Sequence, residues 1–265
     1  MSTQQIPMPP AEVAAAKRTP PPVSAPSAVQ PRHSWYLPLK ALCESLVACG
    51  LLIVLGPVFL LAAAAVKLAS PGPAFYTQTR VGRHGRLFRI IKVRTMVHNA
   101  ESQTGPIWSG ADDPRVTPFG RFLRNTHIDE FPQLINVLLG DMSLVGPRPE
   151  RPEFVRDFEW RLPGYSERLN VRPGITGIAQ LNLPPDCDLE SVRRKLLHDL
   201  YYVRYCSPWL DFQVVLFTGW DFVREMCRMT WQWISPPNVQ KVNARVVSVV
   251  GHDSDLLIGI PEDRE

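Results

Sequence analysis

Cysteine is sparse and unpatterned in this chain: five residues in 265, an odd number, with no Cys-x-x-Cys. That excludes a disulfide framework and favours reduced, buried thiols in a cytosol-facing protein. The six histidines show no metal-ligand spacing, so a zinc site is not expected either. No internal repeat is visible. The first 31 residues lack an apolar core beside a basic start and do not read as a signal peptide. Two further absences are local. Residues 80–94 contain no acid, and residues 46–66 contain no charge of either sign.

The acid-free stretch carries Arg80, Arg83, Arg86, Arg89, Lys92 and Arg94, within a chain of net charge +4 and pI near 8.9. Such a cluster suits phosphates, lipid headgroups or nucleic acid, against the bland alternative of a solvated basic surface. Nucleic acid is not expected as a partner, because no aromatic interleaving or known module accompanies the basic run.

The charge-free stretch reads LVACGLLIVLGPVFLLAAAAV. At roughly 1.5 Å per residue it is just long enough to cross about 30 Å of hydrocarbon. Gly56-Pro57 stands at its centre, and Pro57 lacks the N–H that a helix needs there, so a kink or break is expected. Basic residues flank the run on both sides: Lys17, Arg18, Arg32 and Lys40 before it, Lys67 and the arginine cluster after it. Basic flanks prefer the cytoplasm. A helix that enters, breaks at Gly56-Pro57 and leaves by the same face satisfies both flanks better than a spanning helix does.

The rest reads as a mostly α fold with a few short β-strands. Strands are expected at 75–78 and 87–93 around a turn at 82–85, and helices at 120–124, 131–139, 152–160, 189–205 and 210–226. The last of these regions holds Trp209, Phe212, Phe217, Trp220, Phe222, Trp231 and Trp233. Amphipathic helices of this kind lie in the headgroup layer, although aromatic core packing explains them equally well. The domain reading is a disordered Pro-rich tail (1–35), a re-entrant membrane helix (36–69), a compact cytoplasmic catalytic globule (70–235) and a polar tail (236–265) with a short strand at 244–250.

Several short motifs present a cation from a rigid loop. Prolines at 147 and 149 fix φ on both sides of Arg148. Arg172 stands just before a Pro-Gly turn. Lys92 and Arg94 share one strand, and Arg124 precedes Asp129 by five residues. Each alone is also readable as a surface cation or a structural ion pair. With the adjacent acids Asp129 and Glu130 they suggest a diphosphate site, in which cations meet the phosphate oxygens and carboxylates hold a divalent metal or attack phosphorus. Pro132 bears on where these acids sit. With Thr126 as N-cap, Pro132 falls deep in the helix; with Asp129 as N-cap, it falls where an N–H is not needed. The helix is therefore expected to begin near Asp129, which places the acids at a helix N-terminus that favours anions.

Four stretches together carry a family resemblance: SPGPAFYTQTRVGRHGRLFRIIKVRTM, DDPRVTPFGRFLRNTHIDEFPQLINVLLGDMSLVGPRPERPEFV, VRPGITGIAQ and DLYYVRY. Over about residues 39–226 the chain resembles the bacterial sugar transferases that act as monotopic polyprenyl-phosphate phosphoglycosyl transferases. The resemblance implies transfer of a sugar phosphate from a UDP-sugar to undecaprenyl phosphate at the cytoplasmic face of the bacterial inner membrane, initiating glycan synthesis. It implies that Asp129 is the nucleophile on the β-phosphate and forms a phosphosugar–aspartyl intermediate. Glu130 would serve Mg²⁺ (or Mn²⁺) and acid–base work. Arg124 and the Pro147-Arg148-Pro149 loop would bind phosphate and nucleotide, with Lys92, Arg94, Arg172 and Asp199 as further substrate-binding candidates. Membrane lipids and a second copy of the chain are candidate partners. The chain departs from the pattern at Gly56, where Ser is usual, at Glu44, where Asp is usual, at His127-Ile128, and in the loop after Gln180, which leaves the donor sugar open. Two other functions stay open: a membrane-bound, metal-dependent nucleotide-diphosphate hydrolase using the same acids and arginines, and a non-catalytic scaffold for polysaccharide assembly, in which Asp129 would be dispensable.

Overall fold

A computed structural model describes residues 29–100 and 113–234. The tail expected at 236–265, with its strand at 244–250, lies outside the described residues, as does most of the tail expected at 1–35. The part of the latter that is described corrects its expectation. Asn170 donates to the Val29 carbonyl at 2.7 Å, and the Arg32 N–H donates to the Arg204 carbonyl at 3.1 Å. Residues 29–35 are thus bonded to the globule, and these bonds offset the ordering entropy that composition alone suggested would win.

Helix α1 (Tyr36–Ala69) is one helix of 34 residues and runs through Gly56-Pro57 without interruption. The expected break is therefore absent from its secondary structure. Pro57 removes one hydrogen bond, but packing secures the helix on both sides of it. Ala48, Leu52 and Leu55 pack with Phe88, Ile90, Leu134, Val137 and Met142. Phe59, Ala62 and Val66 pack with Val93 and Leu123. The other face is bare: Leu42, Leu46, Ile53, Val54, Leu60 and Leu61 are exposed. Among the described residues this is the one helix long and apolar enough to cross a membrane. Cys43 and Cys49 are exposed on α1, so the expectation of buried thiols holds only for Cys206.

The first turns of α1 carry a closed polar cluster. Lys40 Nζ lies 2.7 Å from Glu44 Oε1 and 2.5 Å from Asp211 Oδ2. Tyr36 and Tyr202 each donate a hydroxyl to Asp211 at 2.7 Å. The Val145 N–H donates to Glu44 Oε1 at 3.2 Å, and the Ser143 hydroxyl donates to Oε2 at 2.5 Å.

After α1, β1 (Phe75–Val81) and β2 (Leu87–Val93) form an antiparallel hairpin that pairs Phe75 with Val93 and Val81 with Leu87. Helix α2 (Pro118–Asn125) starts on Thr117, whose hydroxyl accepts the Gly120 N–H at 2.9 Å. A Cβ on Gly120 would stand 1.9 Å from the Thr95 carbonyl oxygen, so only glycine lets α2 press onto the end of β2. Next come α3 (Gln133–Leu138), β3 (Ser143–Val145), α4 (Pro152–Arg161), β4 (Gly174–Thr176), α5 (Ile178–Asn182), α6 (Leu189–Tyr205) and α7 (Pro208–Ile234). Asp188 opens α6 with a capping box closed by Ser191.

The parallel pair β3–β4 was not legible in the sequence. It forms where the Gly146 and Gly174 backbones cross: a Cβ on Gly174 would lie 2.1 Å from the Gly146 nitrogen. This crossing seats the Pro147–Pro149 loop beside the hairpin. One compact unit extends to Phe222. From Val223 onward, the described residues are the final turns of α7, where Arg228 and Glu225 pair at 2.5 Å.

Candidate active site

The acids Asp129 and Glu130 do not open a helix. Helix α2 ends at Asn125, and the Thr126 hydroxyl donates back to the Phe122 carbonyl at 2.9 Å, closing that helix rather than starting another. His127 then takes the left-handed conformation, with φ 53°. Ile128–Glu130 form a single 3-10 turn, and α3 begins only after Pro132. This corrects the expectation of a helix starting near Asp129. The missing Pro132 N–H is accommodated ahead of α3, and the left-handed residue reverses the chain so that a tight turn presents both carboxylates. With six residues, α3 is too short to bring a large helix dipole.

Three elements converge on Glu130. Lys92, near the end of β2, places Nζ 2.7 Å from Glu130 Oε1. Arg148 places Nη2 2.6 Å from the same oxygen and Nη1 3.4 Å from Oε2. Pro147 and Pro149 are buried, while the Arg148 side chain remains 41% accessible. The guanidinium therefore grips Glu130 with one edge and faces outward with the rest. Burial alone would raise the Glu130 carboxyl, but Arg148 and then Lys92 hold it well below the usual carboxylate range.

Its neighbour behaves in the opposite way. Asp129 is 6% exposed and accepts no hydrogen bond among the described residues. Burial, and next the Glu130 charge, push its carboxyl up to about 6 against the pull of Lys92, Arg124 and Arg148. Arg124 stands close enough to feel both acids, and its Nε donates to Thr95 Oγ1 at 2.9 Å. Two adjacent carboxylates thus have separate states: one locked as an anion in a cationic clasp, the other buried, unpaired and poised near neutrality.

The remaining candidates divide. Arg94 turns away from the acids and caps the end of α1, donating to the Ser70 carbonyl at 2.9 Å, the Ser70 hydroxyl at 2.7 Å and the Pro71 carbonyl at 2.5 Å. Arg172 lies beside Gly140 and Arg83, and the structure gives it no contact with the acids. Asp199 is buried against Arg168, with Oδ2 2.8 Å from Nε and 2.7 Å from Nη2. Of the basic run, Arg80 is also internal, donating to the Pro149 carbonyl at 3.0 Å. Sequence reasoning missed Arg168, Thr95 and the loop-holding role of Arg80. Each works through a backbone carbonyl or a single hydroxyl, which leaves no motif.

No cluster of three or more His, Cys, Asp or Glu side chains that could by themselves hold a metal ion occurs among the described residues, so the protein offers at most two carboxylates. The donor set does fit Mg²⁺. Asp129 accepts no hydrogen bond, Glu130 Oε2 has only the long Arg148 contact, and magnesium commonly takes one or two carboxylates together with substrate phosphates.

The family model described as bacterial sugar transferase matches residues 35–225. A UDP-N-acetylgalactosamine-undecaprenyl-phosphate N-acetylgalactosaminephosphotransferase of Aeromonas hydrophila is 43% identical over 183 residues, covering 69% of this chain and 43% of its own length. A UDP-glucose:undecaprenyl-phosphate glucose-1-phosphate transferase of Caulobacter vibrioides is 46% identical over 181 residues, covering 68% of this chain and 67% of its own length. An exopolysaccharide production protein of Rhizobium leguminosarum is 37% identical over 188 residues, 94% of its length. The chain spans less than half of the Aeromonas relative.

Proposed function

The chain belongs to the bacterial sugar transferase family, and from that premise we propose that it transfers a sugar 1-phosphate from a UDP-sugar to undecaprenyl phosphate, releasing UMP. The observation that carries this reading is the split between the two acids. A nucleophile must be ionisable near neutral pH and free of competing hydrogen bonds, and Asp129 has both properties.

In the first step an Asp129 carboxylate oxygen attacks the β-phosphorus of the UDP-sugar. The bond from that phosphorus to the bridging oxygen breaks, and UMP leaves with the electron pair. The sugar phosphate is now an acyl phosphate on Asp129. In the second step a phosphate oxygen of undecaprenyl phosphate attacks the same phosphorus. The Asp129–phosphorus bond breaks, and the carboxylate is restored as the lipid diphosphate sugar forms. Both steps bring anions together. Arg148, with one edge open, and Arg124 and Lys92 beside the acids supply the countercharge. Asp129 and Glu130 Oε2 would hold Mg²⁺, which when bound withdraws charge from the diphosphate oxygens.

The acceptor is a membrane lipid, and the rest of the fold suits that. The bare leucine-rich face of α1 and the exposed Trp209, Phe212, Phe217 and Trp220 on α7 support an enzyme seated in the bilayer surface at the cytoplasmic face of the inner membrane. Contact of α1 with the globule from Tyr36 to Val66 supports attachment at one membrane face, because a spanning helix would part from the globule midway; re-entry would further require a bend at Gly56-Pro57, where Pro57 removes a hydrogen bond.

The test is to incubate the full chain in membranes with undecaprenyl phosphate and a panel containing UDP-glucose and UDP-N-acetylgalactosamine, the sugars carried in the relatives' names. Donor labelled in the β-phosphate should leave label on the protein, and added lipid should remove it as UMP accumulates. Water-dependent release of sugar phosphate without a lipid product would overturn the reading in favour of a hydrolase.

A further inference from the structure

The loop that carries Arg148 is fastened at every carbonyl, each time by a different donor. The Gly174 N–H donates to the Pro147 carbonyl at 2.9 Å and the Val81 N–H to the Glu150 carbonyl at 2.9 Å. Arg80 Nη1 donates to the Pro149 carbonyl at 3.0 Å. Arg168 Nη2 donates to the Arg148 carbonyl at 2.8 Å. Only this last bond holds the peptide of the residue whose side chain reaches Glu130.

Arg168 is itself fully committed. Its Nε lies 2.8 Å from Asp199 Oδ2, its Nη2 2.7 Å from the same oxygen, and its Nη1 donates to the Tyr165 hydroxyl at 3.0 Å. Both Arg168 and Asp199 are buried. A guanidinium is a planar fork, so orienting it through Asp199 and Tyr165 fixes the direction in which Nη2 points. Prolines limit φ at 147 and 149, but the peptide plane between Arg148 and Pro149 needs its own handle, and the Arg148 carbonyl is that handle.

We propose that Arg168, oriented by Asp199, is a positioning residue for Arg148: it fixes the peptide from which the guanidinium reaches Glu130 and the donor phosphate. The proposal takes its kinetic consequence from the transferase reading. Arg148 has a long side chain that is 41% accessible, so its aim depends on its backbone. Misplacing a charge-stabilising group by about 1 Å is enough to slow a reaction about a hundredfold. An Arg168–Asp199 pair that only neutralised itself in the core would have no need of the bond to the loop.

The test uses Arg168→Lys in the full chain. Lysine keeps the charge opposite Asp199, but one ammonium cannot also reproduce the fork's bonds to the carbonyl and the Tyr165 hydroxyl. Expected is a ten- to hundredfold fall in kcat/KM for the UDP-sugar per folded molecule, alongside the lower melting temperature that losing two buried hydrogen bonds brings. In an Arg148→Ala background, Arg168→Lys should add nothing. Deuterium uptake at the Val81 and Gly174 amides, which donate to the loop's Glu150 and Pro147 carbonyls, should rise several-fold in Arg168→Lys while amides elsewhere stay unchanged. If Arg168→Lys does not fold, Asp199→Asn should give the same results in milder form. Wild-type kinetics with wild-type uptake overturns the proposal, as do effects of Arg168→Lys and Arg148→Ala that multiply. If the unmutated chain releases no UMP, the transferase reading fails instead. Deuterium uptake then decides the positioning role alone: a rise confined to the Val81 and Gly174 amides keeps it, and no change ends it.

Discussion

Two buried clusters in this molecule are each built around a pair of carboxylates, and they are finished differently. At the base of α1, Glu44 and Asp211 share Lys40, and every carboxylate oxygen accepts a bond from Tyr36, Tyr202, Ser143, Lys40 or the Val145 N–H. At the acidic turn, Glu130 is gripped by Lys92 and Arg148 while Asp129 accepts nothing among the described residues. Buried polar groups left unpaired are expensive, so a structural cluster closes its network, whereas a reactive one leaves a group open for something that arrives later. The contrast is independent of any relative and agrees with the proposed division of roles.

The largest effect should come from Asp129→Asn. Transfer should fall by at least about a thousandfold, since the proposed nucleophile is gone. Melting temperature at pH 7.5 should rise. Asp129 holds its proton up to about pH 6 in the folded chain, against an ordinary value of 3.8. Above pH 6 the folded state therefore carries the charge at a penalty of up to about 3 kcal/mol that asparagine removes. The advantage should shrink as pH falls through 6 and vanish below 3.8. Near-normal transfer by this variant would end the proposed mechanism.

Next in size is Lys40→Met, which leaves Glu44 and Asp211 buried without their cation. A loss of about 3–5 kcal/mol is expected, read as a lower denaturation midpoint, with turnover per folded molecule unchanged. Loss of turnover without loss of stability would erase the contrast between the clusters. A third effect is the pH profile. On the proposed mechanism, in which Asp129 attacks as the anion, the rate should fall about tenfold per unit as pH drops below about 6, measured as kcat/KM at saturating lipid. The smallest is Tyr36→Phe, which removes one of the hydroxyls donated to Asp211 and should lower stability by about 1.5–3 kcal/mol with no kinetic signature.

Much of this was readable in the residues. Helix α6 falls at 189–205 as expected, because Asp188 and Ser191 mark its start by local chemistry. Strand β2 likewise keeps its expected limits, 87–93. The acids, Lys92 and Arg148 meet as their motifs suggested. What was not readable depends on contacts distant in sequence. The β3–β4 pair has three residues per strand and exists because two glycines cross. The turn at Ile128–Glu130 depends on a left-handed histidine, where sequence rules look for glycine. Lys92, in β2, and Arg94, one residue past its end, stand two positions apart and look equivalent, yet Lys92 serves the acids and Arg94 the end of α1.

That last pair has a mechanical consequence. Two residues of extended chain span only about 7 Å. Over that distance the strand links the final turn of α1, through Arg94 and Ser70, to Glu130, through Lys92. With α1 seated in lipid, its depth is set by the thickness of the hydrocarbon around it. Bilayer thickness then becomes a variable of turnover: a lipid that lifts or lowers the end of α1 shifts the cationic clasp beside Asp129 with it. Rates measured in bilayers of graded acyl-chain length should pass through an optimum. That optimum should flatten in Arg94→Ala, where the strand no longer holds the end of α1.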